Sequence, residues 1–158
     1  MEKLPKLSKA FFINGGAGRV VASIPALEKY EHDSGDKDFV IIAESWDELY
    51  QAAPSLRDRV YKLDHKGLFE EKLKDKDIVS PEPYRLNAYF NQKCNLVQAF
   101  DILINERDSI PVGMENKVPH LELNKTEQII GHNICNEVRE VTGKDKVVVF
   151  QPFGQSVN

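Results

Sequence analysis

The sequence predicts an α/β domain in which helices cover a mostly parallel sheet, and three observations predict it. Short β-rich runs alternate with amphipathic stretches along the chain. One of these runs, "FVIIA" at 39–43, is continuously apolar, as expected of a strand covered on both faces, and "KVVVF" at 146–150 reads as another buried strand. The first run passes through a glycine cluster straight into a helical pattern, "FFINGGAGRVVASIPALEKY" at 11–30. Such alternation implies βαβ units joined by right-handed crossovers.

Residues 10–14 read as the first buried strand. The helix that follows places Val20, Val21, Ile24 and Leu27 on one face. Pro25 has no N–H to offer the carbonyl of Val21, so this helix either starts near Ile24 or is kinked there. After the polar turn "EHDSGDKD", residues 39–43 form the second strand. Ser45 with Glu48 resembles a capping box for a short helix over 46–53, which Pro54 ends. Residues 59–63 give a third strand, 66–74 a third helix and 77–80 a fourth strand, closed by Pro81 and Pro83. The longest helix is expected over 84–105, with Leu86, Tyr89, Phe90, Leu96, Val97, Phe100, Leu103 and Ile104 in one stripe.

"VPHLEL" at 118–123 reads as a short strand. Asn124 and Glu127 then make a capping box for a helix carrying Ile130, Ile134, Val138 and Val141 on one face, with Gly143 at its C′ position. The sum is a three-layer, Rossmann-like domain over residues 1–145. The strand at 146–150 then opens a truncated second domain over 146–158, or completes the same sheet.

The chain has 158 residues, 41% of them hydrophobic, enough for one core. Its net charge of −4 and dispersed Lys and Arg argue against a nucleic-acid binder, whose footprint is a basic face. Cys94 and Cys135 read as free thiols in a reducing compartment. No run of about 20 apolar residues suggests a membrane span, and the N-terminal apolar run is too short for a signal peptide. The expected location is therefore the cytoplasm.

"NGGAGR" at 14–19 lies at the carboxyl end of the first strand, where ligands of parallel α/β sheets bind. Gly15, Gly16 and Gly18 let the backbone approach an anionic or sugar ligand, and Arg19 could add a bidentate contact to phosphate or carboxylate. The loop departs from the dinucleotide fingerprint G-x-G-x-x-G: read from Gly16, Val21 stands in place of the third glycine; read from Gly15, Ala17 replaces the middle one. It also lacks the Gly-Lys-Ser/Thr ending of a Walker loop. Glu44, after the second strand, stands where an acid would hold a ribose. The plainer alternative is a tight βα turn whose glycines serve packing alone.

Two stretches, "GGAGRVVASIPALEKYE" at 15–31 and "KVVVFQPFGQS" at 146–156, resemble the ADP-heptose:lipopolysaccharide heptosyltransferases, a family of GT-B glycosyltransferases. That family opens with a strand, a Gly-x-Gly-Asp turn, an apolar stretch and Pro-Ala-Leu. Here Gly16-Ala17-Gly18-Arg19, "VVASI" and Pro25-Ala26-Leu27 take those places. The family's second domain begins with a strand and a Pro-Gly-Ser-like loop facing the sugar nucleotide, matched by Gln151, Pro152, Phe153, Gly154, Gln155 and Ser156.

The resemblance implies the acceptor-side N-terminal domain of an inverting, metal-independent glycosyltransferase. Such an enzyme transfers a sugar from a nucleotide-sugar donor to a glycan or other acceptor, with no further cofactor. Asn14, Gly15, Gly16, Gly18 and Arg19 would line the interdomain cleft, and Gln151, Gly154 and Ser156 the donor side. A chain ending before the donor pocket is not expected to catalyse alone. The family's turn carries an aspartate, implicated as catalytic base or as an organising charge, where this chain has Arg19. Arginine cannot act as a base near neutral pH. The base must then come from elsewhere, with Glu44 and Glu82 as candidates, or Arg19 holds a phosphate.

Other groupings carry less. His132 and Cys135 are three apart on one helix, but two ligands make no metal site. Cys94 lies beside an apolar stripe and reads as core. Glu82, Tyr84, Arg85, Asn87, Tyr89 and Asn91 combine aromatic faces with amides and a carboxylate, as carbohydrate sites do. Glu44, Ser45 and Trp46 raise the same possibility. The alternative to a transferase domain is a non-catalytic nucleotide- or phosphate-binding Rossmann-like module. A nicotinamide or flavin enzyme is disfavoured by Val21.

Overall fold

The computed structural model describes residues 7–150, and the chain divides between Leu121 and Glu122 into two compact units. In the first unit, four parallel strands form one sheet of order β3-β2-β1-β4: β1 (Ser8–Ile13), β2 (Val40–Ala43), β3 (Val60–Lys62) and β4 (Lys76–Val79). In register, Phe11 pairs with Ile41 on one side and Val79 on the other. The α/β class with an all-parallel sheet flanked by helices is thus as the sequence predicts, and four of its strands fall where the apolar runs place them.

Strand alternation divides the core in two. Phe11, Ile13, Ile41 and Ala43 face α1 (Ala17–Ser34), α2 (Asp47–Gln51) and α4 (Leu96–Ile104), where Ile24, Leu27, Tyr50, Phe100 and Ile104 are fully buried. Ala10, Val40 and Ile42 face the other way, onto Leu68 and Leu73 around a π-helical turn at Leu68–Lys72. Only this turn stands where a third helix over 66–74 is expected. Gly67 at φ +76° tightens its start.

Helix α1 runs unbroken through Pro25. The hydrogen bond that proline removes is outweighed by burial: Ser23, Ile24, Pro25, Ala26 and Leu27 are all buried. Ser23 Oγ donates to the Val20 carbonyl at 2.8 Å and lies 2.6 Å from the Tyr50 hydroxyl. Desolvation in this pocket pushes the Tyr50 phenol well above its usual range.

The single helix expected over 84–105 is instead a 3₁₀ turn (Pro83–Arg85), α3 (Asn87–Phe90) and α4. Gln92 sits at φ +57°, which breaks the helical path. Asn95 then restarts it: its side chain accepts from the Gln98 N–H at 3.0 Å, and its own N–H donates to Gln98 Oε1 at 3.0 Å. Phe90 is consequently exposed rather than part of the core stripe. The strand expected at 118–123 is absent, because these residues have no ladder neighbour among the described residues.

Asp36 ties the start of β1 to the loop after α1. It accepts from Ser8 Oγ at 2.7 Å and from the N–H groups of Lys9 at 2.9 Å and Asp38 at 3.1 Å. Partial burial pushes its carboxyl upward, but these bonds outweigh it and hold the group below its ordinary value. A carboxyl depressed in the folded state stabilises fully above its unfolded value, near pH 4, and that contribution disappears as pH falls through the folded value. Asp36→Asn should cost on the order of 1–2 kcal/mol at pH 7 and little at pH 2. Urea unfolding between these pH values should show a flatter acid leg for the variant.

The second unit contains α5 (Lys125–Thr142). The Asn124–Glu127 capping box forms as expected, and Gly143 adopts the left-handed C-cap at φ +63°. The apolar face of Ile130, Ile134, Val138 and Val141 is exposed. Residues 146–150 carry no secondary structure, and Val148, Val149 and Phe150 are exposed. Apolar β-rich residues become a strand only with a ladder neighbour, and here none is paired with them among the described residues.

Candidate functional site

Strand order decides where the site lies. The chain leaves β1 toward β2 on one side, while β4 returns to the other side of β1. The loops after β1 and β4 therefore diverge at the carboxyl edge, the crevice position of open parallel sheets. The loop after β2 adjoins the first of them.

The glycine loop is clamped. Gly15, at φ +93°, donates its N–H to Glu44 Oε2 at 3.3 Å and accepts from Ser45 Oγ at 2.9 Å. The Glu44 N–H donates to the Ile13 carbonyl at 3.2 Å. Ser45 thus serves the loop and does not cap α2, whose N-cap is Trp46 at φ +60°. Gly16 caps α1 through its carbonyl, accepting from Arg19 N at 2.9 Å and Val20 N at 3.2 Å. The first turn of α1 carries no acidic residue. Gly16 and Gly18 have no protein atom against the position a Cβ would occupy, so the loop's outer surface is bare.

At Gly15 the space is filled: a Cβ there would lie 3.1 Å from Arg19 Cδ. Gly15→Ala adds a left-handed-region penalty to that crowding and should cost about 1–3 kcal/mol. Thermal unfolding would read this cost, and an unchanged midpoint would show that the turn relaxes freely.

Arg19 points inward and is only 8% exposed. One guanidinium nitrogen donates to the Pro81 carbonyl at 2.7 Å, and the other lies 3.3 Å from Glu82 Oε2. Its plane stands 5.4 Å from the Tyr84 ring and 5.8 Å from that of Phe100. Arg19 therefore joins the loop after β1 to the loop after β4 across the switch point. Its Nε and the Asn14 side-chain oxygen are buried without a protein partner.

Beyond Tyr84 opens a shallow groove of about 700 Å³, walled by Tyr84, Tyr89, Phe90, Asn95 and Gln98. Tyr84 and Tyr89 meet edge to face at 5.6 Å. Cys94 is buried in the groove's floor, where desolvation pushes its thiol up. The break after Phe90 creates this groove, so Gln92, Lys93, Asn95 and Gln98 were not identifiable as lining from a continuous helix. The one signal for them was the Asn95-x-x-Gln98 box.

The structure therefore brings Asn14, Gly15, Gly16, Arg19, Glu44 and Glu82 to one edge, with Gly18 in the first turn of α1. Gln151, Gly154 and Ser156 lie outside the described residues. His132 is exposed on α5 and Cys135 half-buried there. Among the described residues, no three His, Cys, Asp or Glu side chains gather as metal ligands. No helix among them is long and apolar enough to cross a membrane. No protein-family model, curated protein or solved structure matches this chain.

Proposed function

We propose that this chain is the acceptor-side domain of a glycosyltransferase resembling the heptosyltransferases, which transfers a sugar from a nucleotide sugar when joined to its donor-side half. The observation that carries the reading is the groove at the β1/β4 switch point. Its aromatic faces, Tyr84, Tyr89 and Phe90, beside the exposed side chains of Gln92 and Lys93, match what a carbohydrate requires. The C–H face of a sugar ring packs on an aromatic face, and its hydroxyls need partners that both donate and accept.

In this reading Arg19 is a strut that shapes the groove's edge, standing where the family keeps an acid. Glu82 is held by that strut. Glu44, exposed beside the glycine loop, is the carboxylate better placed to take a proton from an acceptor hydroxyl. A phosphate-binding module is the second reading, favoured by the bare start of α1 with no acid in its first turn.

Calorimetric titration with oligosaccharides, nucleotide sugars and NAD separates the readings. The transferase reading expects oligosaccharide binding that Tyr89→Ala weakens by about tenfold, or roughly 1.4 kcal/mol. Tight NAD binding, or binding of phosphate compounds alone, would overturn it.

A further inference from the structure

We infer that the corner formed by the glycine loop and the loop after β2 is a second subsite, selective for an uncharged sugar ring; this rests on the carbohydrate reading above. Trp46 provides the platform. It is 47% exposed at the carboxyl edge, although indole is among the most costly side chains to leave in water. It is also held at φ +60°, a conformation that a bulky residue adopts only at a cost. Asparagine or glycine would satisfy that backbone without strain. The position therefore carries an exposed aromatic at the expense of local stability, which a ligand contact would account for.

The charges around it choose the ligand. The Gly15 N–H, the donor a phosphate would seek first, is already given to the Glu44 carboxylate. Glu44, Asp47 and Glu48 surround the indole's position in sequence. Asp47 is engaged by Lys62 at 3.3 Å and by Gln51 at 2.9 Å. Glu44 and Glu48 are exposed. A phosphate placed here meets a carboxylate of its own sign, whereas a sugar hydroxyl can donate to it. Ser45 Oγ and Glu44, the two residues before Trp46, lock the loop after β2 to the glycine loop at Gly15. An aromatic flanked by acids could also attract an organic cation, and the test includes that outcome.

Trp46 is the only tryptophan of the chain, so its fluorescence reports this corner alone. The full chain would be screened on an array of neutral glycans and their phosphorylated counterparts, and hits titrated by fluorescence beside choline and ADP. The inference expects a neutral glycan that shifts Trp46 emission and outcompetes its phosphorylated form. Trp46→Asn should weaken that glycan about tenfold with an unchanged or higher melting temperature, and Glu44→Gln should weaken it less. A purely structural Trp46 would instead lose stability and keep binding. Glycan binding lost in Tyr89→Ala but intact in Trp46→Asn overturns this inference and leaves the transferase reading standing. Response to choline or ADP alone overturns it too, and no glycan binding at all removes both.

Discussion

Replacing Phe11 with alanine should destabilise the first unit by about 3–5 kcal/mol, the range for removing a large aromatic from a close-packed core. Phe11 has no exposed surface and lies on the central strand β1. Its ring meets Tyr30 edge to face at 4.8 Å and Phe39 at 6.0 Å, and Tyr30 and Phe39 meet at 5.2 Å. Burial here pushes the Tyr30 phenol up to about 12. One truncation therefore opens a cavity shared by β1, the last turns of α1 and the residue preceding β2. Against a typical domain stability of about 5–15 kcal/mol, the variant should be partly unfolded at 37 °C. Urea midpoints should fall at constant slope. Phe11→Leu should lose much less, and equal losses would show that ring geometry rather than volume is at stake.

The second large effect belongs to Arg19. Arg19→Ala removes a charge-assisted bond to the Pro81 carbonyl and the ion pair with Glu82, and empties the space between Tyr84 and Phe100. Glu82 is itself 37% exposed, so water can satisfy it afterwards, and the pair is worth less than a fully buried one. The carbonyl bond and the lost packing dominate, for about 2–3 kcal/mol. Amide exchange at residues 80–86 should accelerate more than at α1. A cost below about 0.5 kcal/mol would mark Arg19 as an ordinary surface charge. Because Tyr84 lines the groove, the proposed carbohydrate site predicts weaker saccharide binding by the variant even where it remains folded.

Composition and pattern made the sheet legible because its strands are nearly pure apolar runs: Val40, Ile41, Ile42 and Ala43 leave no alternative to a strand buried on both faces. The glycine loop and the capping box at Asn124 were legible for a similar reason, since each is settled by residues within one turn. What was not legible depends on competition between local and distant contacts. Pro25 reads as a helix start near Ile24 or a kink there, and the start lies at Ala17 because the burial of Pro25's neighbours against the sheet carries α1 through. The stripe over 84–105 reads as one helix, yet the left-handed Gln92 and the Asn95 cap divide it. That division creates the groove, so most of the candidate site's lining was hidden inside an error of secondary structure. Arg19 shows the same limit. Its charge suggests a ligand, while its partners, Pro81 and Glu82, lie more than sixty residues away in sequence.

The proposed carbohydrate site lies at the carboxyl edge of the β1/β4 switch point. Mapping backbone amide shifts of the full chain during titration with the oligosaccharide that binds it, and separately with NAD, tests this most directly. Saccharide-induced shifts should gather at residues 14–19, 44–46 and 84–95, with no comparable response to NAD. Saccharide shifts confined to other surfaces, or NAD shifts at those three stretches with none from any saccharide, would contradict it.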